Sequence, residues 1–198
     1  MLDVGCGHKF TAAIVNHGLP IGRYVGIDID RELVEFLQRE VDDPRLEYHL
    51  MDTHNEMYNP SGRPLSLETP LPVGDARFDV ITGYSLFTHL GPDDFRTMLA
   101  LMRRHVAPEG RLLFTVFIDE VTEGGHGLID KAAKKLGIEQ GYTPQVDYLD
   151  ARPDKPLSWA LYSRERVVQA IEASGWRLDS IGDPDLHIQH FCVCSPAD

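Results

Sequence analysis

Short apolar runs rich in β-branched and aromatic residues alternate along this chain with stretches whose apolar positions recur every three or four residues. The runs at 1–4, 24–28, 46–51, 78–83 and 111–117 are brief and nearly continuous, the pattern of strands covered on both faces. Between them, Leu33, Phe36, Leu37 and Val41 form one helical stripe, and Phe95, Leu99, Met102 and Val106 form another. This alternation predicts a mostly parallel sheet with helices on both faces.

Punctuation residues place the boundaries. Gly91-Pro92-Asp93-Asp94 sets proline at a first helical position and acids at the positive end of the helix dipole. Pro108-Glu109-Gly110 reads as a turn into the fifth strand. Residues 59–72 carry four prolines and read as a surface loop. After Phe117 the pattern changes: a glycine-rich stretch, a short amphipathic helix over 128–136 ended by Gly137, then no clear period up to Pro156. We read about 119–160 as an insertion within a single domain spanning 1–198, placed to cover a site. The alternation then resumes with a helix capped by Ser163 and ended by Gly175, followed by strands at 176–181 and 186–194. Only residues 182–185 separate these two strands, so they are expected to pair as an antiparallel hairpin.

The chain has 198 residues and a formal net charge of -12. That length suits one well-buried domain, and the acidic balance opposes binding to a phosphate backbone. Cys6, Cys192 and Cys194 form an odd set without metal-type spacing and read as reduced thiols. No apolar run nears the roughly 20 residues that span a bilayer. The expectation is a soluble cytoplasmic protein with no nucleic-acid or membrane partner.

The chemistry begins at the first strand. Met1-Leu2-Asp3-Val4-Gly5-Cys6-Gly7 runs a buried strand into a glycine turn, which lets main chain approach a nucleotide-like ligand. Phe10 stands where a dinucleotide fingerprint has its third glycine, so a pyrophosphate cradle is a poor match. Leu2-Asp3-Val4-Gly5-Cys6-Gly7 instead resembles the opening motif of class I S-adenosylmethionine-dependent methyltransferases. The resemblance continues through Gly26-Ile27-Asp28-Ile29-Asp30, Leu50-Met51-Asp52-Thr53, Phe78-Asp79-Val80-Ile81 and the terminal hairpin. It implies a Rossmann-like, seven-stranded, mostly parallel sheet with an antiparallel terminal hairpin. It also implies that S-adenosylmethionine contacts Asp3, Gly5, Cys6 and Gly7, with Asp28 on the ribose hydroxyls beside Ile29. Asp52 and Thr53 would lie at the adenine, and Tyr84 beyond the fourth strand. Tyr58-Asn59-Pro60-x-Gly62 together with Ser85-Leu86-Phe87-Thr88-His89 resembles a bacterial branch acting on small molecules or sugars.

Two departures from that pattern stand out. Lys9 occupies a position where many members have glycine, and it is either a partner for the cofactor carboxylate or a solvated residue opening a helix. A lead-in helix before the first strand is missing, which suggests an upstream start. The Asp-or-Asn-Pro-Pro-Tyr element of nucleic-acid amine methylation is also absent, with Gly83-Tyr84-Ser85 in its place. The expected acceptor is therefore a small molecule or sugar, methylated on oxygen. Alignment supplies much of the rate in such a displacement, and an alcohol acceptor benefits from a base, commonly histidine near neutral pH. His89 is the expected base, with Asp119 and His126 as further candidates, while His187 and His190 are not expected to form a ligand pair. No metal spacing is recognisable. The alternative reading is a protein that binds S-adenosylmethionine without catalysis, or a shortened, inactive enzyme.

Overall fold

Val25 and Ile27 of the second strand pack into one hydrophobic core and Tyr24, beside them, into another, so the sheet separates two apolar layers. The computed structural model describes residues 1–119, 147–184 and 189–198. Its strands are β1 (Leu2–Val4), β2 (Tyr24–Asp28), β3 (Leu46–Leu50), β4 (Phe78–Gly83), β5 (Val106–Ile118), β6 (Tyr148–Asp150), β7 (Ala160–Tyr162), β8 (Trp176–Gly182) and β9 (His190–Pro196). The helices are α1 (Lys9–His17), α2 (Arg31–Glu40), α3 (Pro92–Arg103) and α4 (Arg164–Ala173), with a single 3-10 turn at Phe87–His89.

Pairing orders the main sheet β3-β2-β1-β4-β5-β9-β8. The first five strands are parallel, and β9 runs antiparallel to both β5 and β8. This is the expected doubly wound arrangement with its terminal hairpin. Ile14 of α1 and Val34 and Leu37 of α2 cover one face. Leu99 and Met102 of α3 and Val167 and Ile171 of α4 cover the other.

Local chemistry explains most boundaries. Asp30 caps α2 by accepting from the Leu33 N–H at 3.1 Å, and Ser163 caps α4 by accepting from the Arg166 N–H at 3.1 Å. Both satisfy donors that a helix start leaves open. α3 begins at Pro92 as expected. Within α2, however, Val34 is buried while Phe36 is 49% exposed, its ring flanked by the Arg39 guanidinium at 5.8 Å.

Three boundaries and two strands differ from expectation. Val106 opens a strand instead of closing α3, and Pro108-Glu109-Gly110 lies inside β5 as an irregularity where the register with β4 shifts between Phe78 and Val80. The last strand begins at His190, and residues 185–188 fall outside the described residues. β6 and β7 were not anticipated. They exist because β5, at 13 residues, outlasts its pairing with β9 over Leu112–Val116 and offers Phe117 and Ile118 to β7. The expected helix at 128–136 and His126 lie outside the described residues.

Candidate active site

The glycine turn after β1 is built for close approach. Gly5 and Gly7 take left-handed φ values of 68° and 51°, a region most residues avoid. The N–H groups of Gly5 and Cys6 both bond the Ile27 carbonyl, at 2.8 and 3.1 Å, which ties the turn to the end of β2. Gly7 then donates its N–H to Asp28 Oδ2 at 2.9 Å. The other oxygen, Oδ1, accepts from the N–H groups of Ile29 at 2.8 Å and Asp30 at 3.1 Å. A carboxylate has about four acceptor directions, so Asp28 keeps one open beside the turn it organises.

The turn opens onto a cavity of about 350 Å³ along the carboxyl edge of the sheet, the usual ligand crevice of an open α/β sheet. Of the expected cofactor residues, Gly5, Cys6, Gly7, Asp28, Ile29, Thr53 and Tyr84 line it, and so does His89. Asp3 and Asp52 do not. Asp52 is exposed, and its Oδ1 accepts from Asn59 Nδ2 at 3.1 Å. Asp3 is 1% exposed beneath the turn, accepting from Tyr24 Oη at 2.8 Å on β2 and from Thr82 Oγ1 at 2.7 Å on β4. Burial pushes its carboxyl up to about 7, against the pull of those two hydrogen bonds. Cys6 packs against Gly26, where an added Cβ would stand 2.9 Å from Sγ.

The far wall comes from the segment after β4. Phe87 is wholly buried against Phe95 and Phe114, with ring centroids 4.6 Å apart in each pair. That anchor holds the 3-10 turn bearing His89 at the cavity. His89 Nδ1 lies 3.2 Å from the Leu157 carbonyl oxygen. A carbonyl only accepts, so Nδ1 carries the hydrogen and Nε2 is left with a bare lone pair. Burial lowers the His89 pKa below 6.5, partly offset by that hydrogen bond. The Tyr58 ring meets the imidazole edge-on, centroids 5.6 Å apart at 74°.

Nearer the glycine turn, Tyr84 sits with Phe10 at 6.4 Å and Phe191 at 6.1 Å. Lys9 Nζ lies 5.5 Å over the Tyr84 ring, within cation–π reach. Asp119 follows β5, its N–H bonded to the Tyr162 carbonyl at 2.8 Å, and is not among the lining residues. His190 is buried in β9, and His187 lies outside the described residues.

Sequence reasoning missed several lining residues. Tyr58 and Leu65 come from the proline-marked loop, which folds back on the β3 end through pairing of His54 N–H to the Arg63 carbonyl at 2.7 Å. The motif 58–62 carried that signal. Asp94, in the first turn of α3, also lines the cavity; burial and the neighbouring Asp93 raise its pKa. The Leu157 carbonyl had no sequence signal, since any residue supplies one.

Residues 2–114 match the family described as "Methyltransferase domain". The chain belongs to that family. Its fold is shared by solved structures of low identity. A complex of LepI with SAM is 13% identical with a TM-score of 0.64, over 98% of this chain and 42% of that one. The mitomycin 7-O-methyltransferase MmcR is 16% identical with a TM-score of 0.64, over 99% and 48%. A Haloferax volcanii putative methyltransferase, solved in complex with the Trm112 methyltransferase activator, is 14% identical with a TM-score of 0.65, over 100% and 82%. This chain thus spans less than half the length of LepI and of MmcR. No helix among the described residues is long and apolar enough to cross a membrane.

Proposed function

We propose that this methyltransferase domain binds S-adenosylmethionine and methylates a hydroxyl of a small-molecule or sugar acceptor, with His89 as base. One observation carries the reading: a single cavity joins Asp28 on the glycine turn to a neutral His89 whose Nε2 is free to take a proton. The residues present fit the cofactor. Asp28 keeps an acceptor direction for a ribose hydroxyl, Thr53 and Ile29 flank the place expected for adenine, and Lys9 is the one lysine or arginine among the described lining residues, available to a carboxylate.

When bound, S-adenosylmethionine supplies a sulfonium methyl group and departs as a neutral thioether. His89 Nε2 accepts the acceptor's hydroxyl proton as the new carbon–oxygen bond forms. Depression of its pKa keeps that nitrogen unprotonated at neutral pH. Asp28 fixes the glycine turn and with it the donor's position, which is what an in-line displacement demands. The similarity to LepI with SAM and to the mitomycin 7-O-methyltransferase supports both the cofactor and the oxygen acceptor.

Calorimetry with S-adenosylmethionine and S-adenosylhomocysteine tests the first half of the reading. Binding of a nicotinamide dinucleotide and of neither adenosyl ligand would overturn it. An acceptor screen comparing wild type with His89→Ala tests the second half. Adenosyl binding with no turnover on any hydroxyl acceptor would favour a binding protein over an enzyme.

A further inference from the structure

The hairpin whose loop touches His89 has a small core of its own. β6 and β7 are three residues each, and an isolated strand pair that short is marginal. Among the described residues, Phe117 and Leu161 form an apolar cluster set apart from the two main cores, with Leu149, Ala151 and Trp159 packed against it. Its centre is an aromatic stack. The Trp159 indole lies over the Phe117 ring with centroids 4.8 Å apart and planes 5° from parallel, a favourable pairing beyond the area it buries.

Trp159 also closes the loop that joins the two strands. Its carbonyl accepts from the Ala151 N–H at 3.1 Å, and within the loop the Lys155 N–H bonds the Arg152 carbonyl at 3.0 Å. Asp150 Oδ1 receives the Arg152 N–H at 2.9 Å. The Leu157 carbonyl that meets His89 Nδ1 belongs to the peptide plane shared with Ser158. Such a plane is rigid and turns as a unit, so the carbonyl keeps its direction only when the chain is held on both sides. Leu157 packs against the main core on one side. Trp159, stacked on Phe117 and bonded to Ala151, holds the other.

We propose that Trp159 is a positioning residue: stacked on Phe117, it holds the Leu157 carbonyl against His89 Nδ1 and thereby keeps Nε2 free of hydrogen. This rests on the reading of His89 as base, to which it adds the device that selects the tautomer. The hydrogen bond made at one imidazole nitrogen decides which nitrogen carries the hydrogen. Without the Leu157 acceptor, a share of the molecules presents Nε2–H to the cavity, a donor where the reaction needs an acceptor. Trp159 is not among the residues lining the cavity, so it acts on the site only through that carbonyl.

Nitrogen NMR of the full chain above neutral pH reads the tautomer directly, because a bare ring nitrogen and an N–H nitrogen resonate far apart. Signals lost in His89→Ala assign the ring. Wild type should show hydrogen on Nδ1 alone. Trp159→Ala should bring in the Nε2–H form and lower kcat about fivefold on a hydroxyl acceptor found by the screen. Affinity for S-adenosylhomocysteine should stay within about twofold, as for a residue remote from the ligand. Trp159→Phe, which keeps a ring to stack, should restore both tautomer and kcat. Should Trp159→Ala fail to fold, Phe117→Leu removes the same stack from the other side while keeping an apolar residue, and the same shift is expected. The wild-type tautomer persisting without the stack would overturn the assignment, as would Nε2–H in wild type. A tautomer shift with unchanged kcat would instead overturn His89 as the base and uphold the positioning role.

Discussion

The imidazole of His89 is tethered to main chain of a segment nearly seventy residues further on, its Nδ1 3.2 Å from the carbonyl oxygen of Leu157. The contact does two things at once. It fixes which ring nitrogen is bare, and it links the turn after β4 to the strand pair β6–β7, from which Tyr162 Oη also reaches back to bond the Leu90 carbonyl.

Burial depresses the His89 pKa, so the neutral ring persists to lower pH than in an ordinary histidine. The rate of methyl transfer should therefore be level through neutral and alkaline pH and fall on an acid limb displaced below the ordinary histidine value. His89→Ala should lower kcat by about 10²- to 10⁴-fold and abolish that limb, with affinity for S-adenosylhomocysteine within about threefold. A pH–rate profile checks this; an unchanged limb in the variant would remove His89 as the base.

Asp28→Asn should weaken S-adenosylmethionine about tenfold or more, as loss of a charge-assisted hydrogen bond does. The new N–H₂ must face either the Gly7 N–H or the paired N–H groups of Ile29 and Asp30, donor against donor. The glycine turn is disturbed along with the ligand contact. Calorimetry reads the affinity, and hydrogen exchange at Gly7 reads the turn. Wild-type affinity in the variant would discard Asp28 as a cofactor ligand.

The parallel strands were legible because each is a short apolar run closed by a polar or glycine residue, and Asp28 was legible because Asp30 already supplies the helix cap. The carboxylates within the first strand and just past the third were harder. Asp3 and Asp52 sit in the expected motifs, yet register turns Asp3 between Tyr24 and Thr82, and Asp52 points to Asn59 at the exposed rim. Sequence places a strand but not which way a given side chain in or after it faces. β6 and β7, three residues each, are too short for any period to show, and their pairing depends on the length of β5.

Asp3 gives a stability test. Its carboxyl titrates at about 7 in the folded protein against about 3.9 in an unfolded chain. A raised folded value means that the contribution is fully present below about pH 3.9 and is lost as pH rises through 7. Deprotonation above 7 leaves a buried charge under the glycine turn, near Asp28. Asp3→Asn should lessen the loss of stability between pH 6 and pH 9 by about 1.4 kcal/mol, most of it below pH 7.5. Denaturant unfolding at several pH values measures it. Parallel curves for the two proteins would show that Asp3 does not titrate in this range.

Gly62 presses so closely on the loop from Thr53 to Asn59 that a methyl group there would run into the Thr53 carbonyl and Asn59 Nδ2. The obstruction is mostly backbone, so it cannot be cleared by a rotamer change. Gly62→Ala must part the Thr53–Arg63 bridge and shift Thr53, His54 and Asn55, all of which line the cavity. The expected cost is about 2 kcal/mol, typical of overpacking, or roughly a 5 °C fall in melting temperature for a domain of this size. S-adenosylhomocysteine should also bind more weakly, because the wall is displaced and not merely loosened. Gly22→Ala is the control: an added Cβ there meets nothing within 4 Å, and its stability and binding should match wild type. If Gly62→Ala melts lower yet binds as the control does, the loop is a support for the β3 end and not part of the ligand wall.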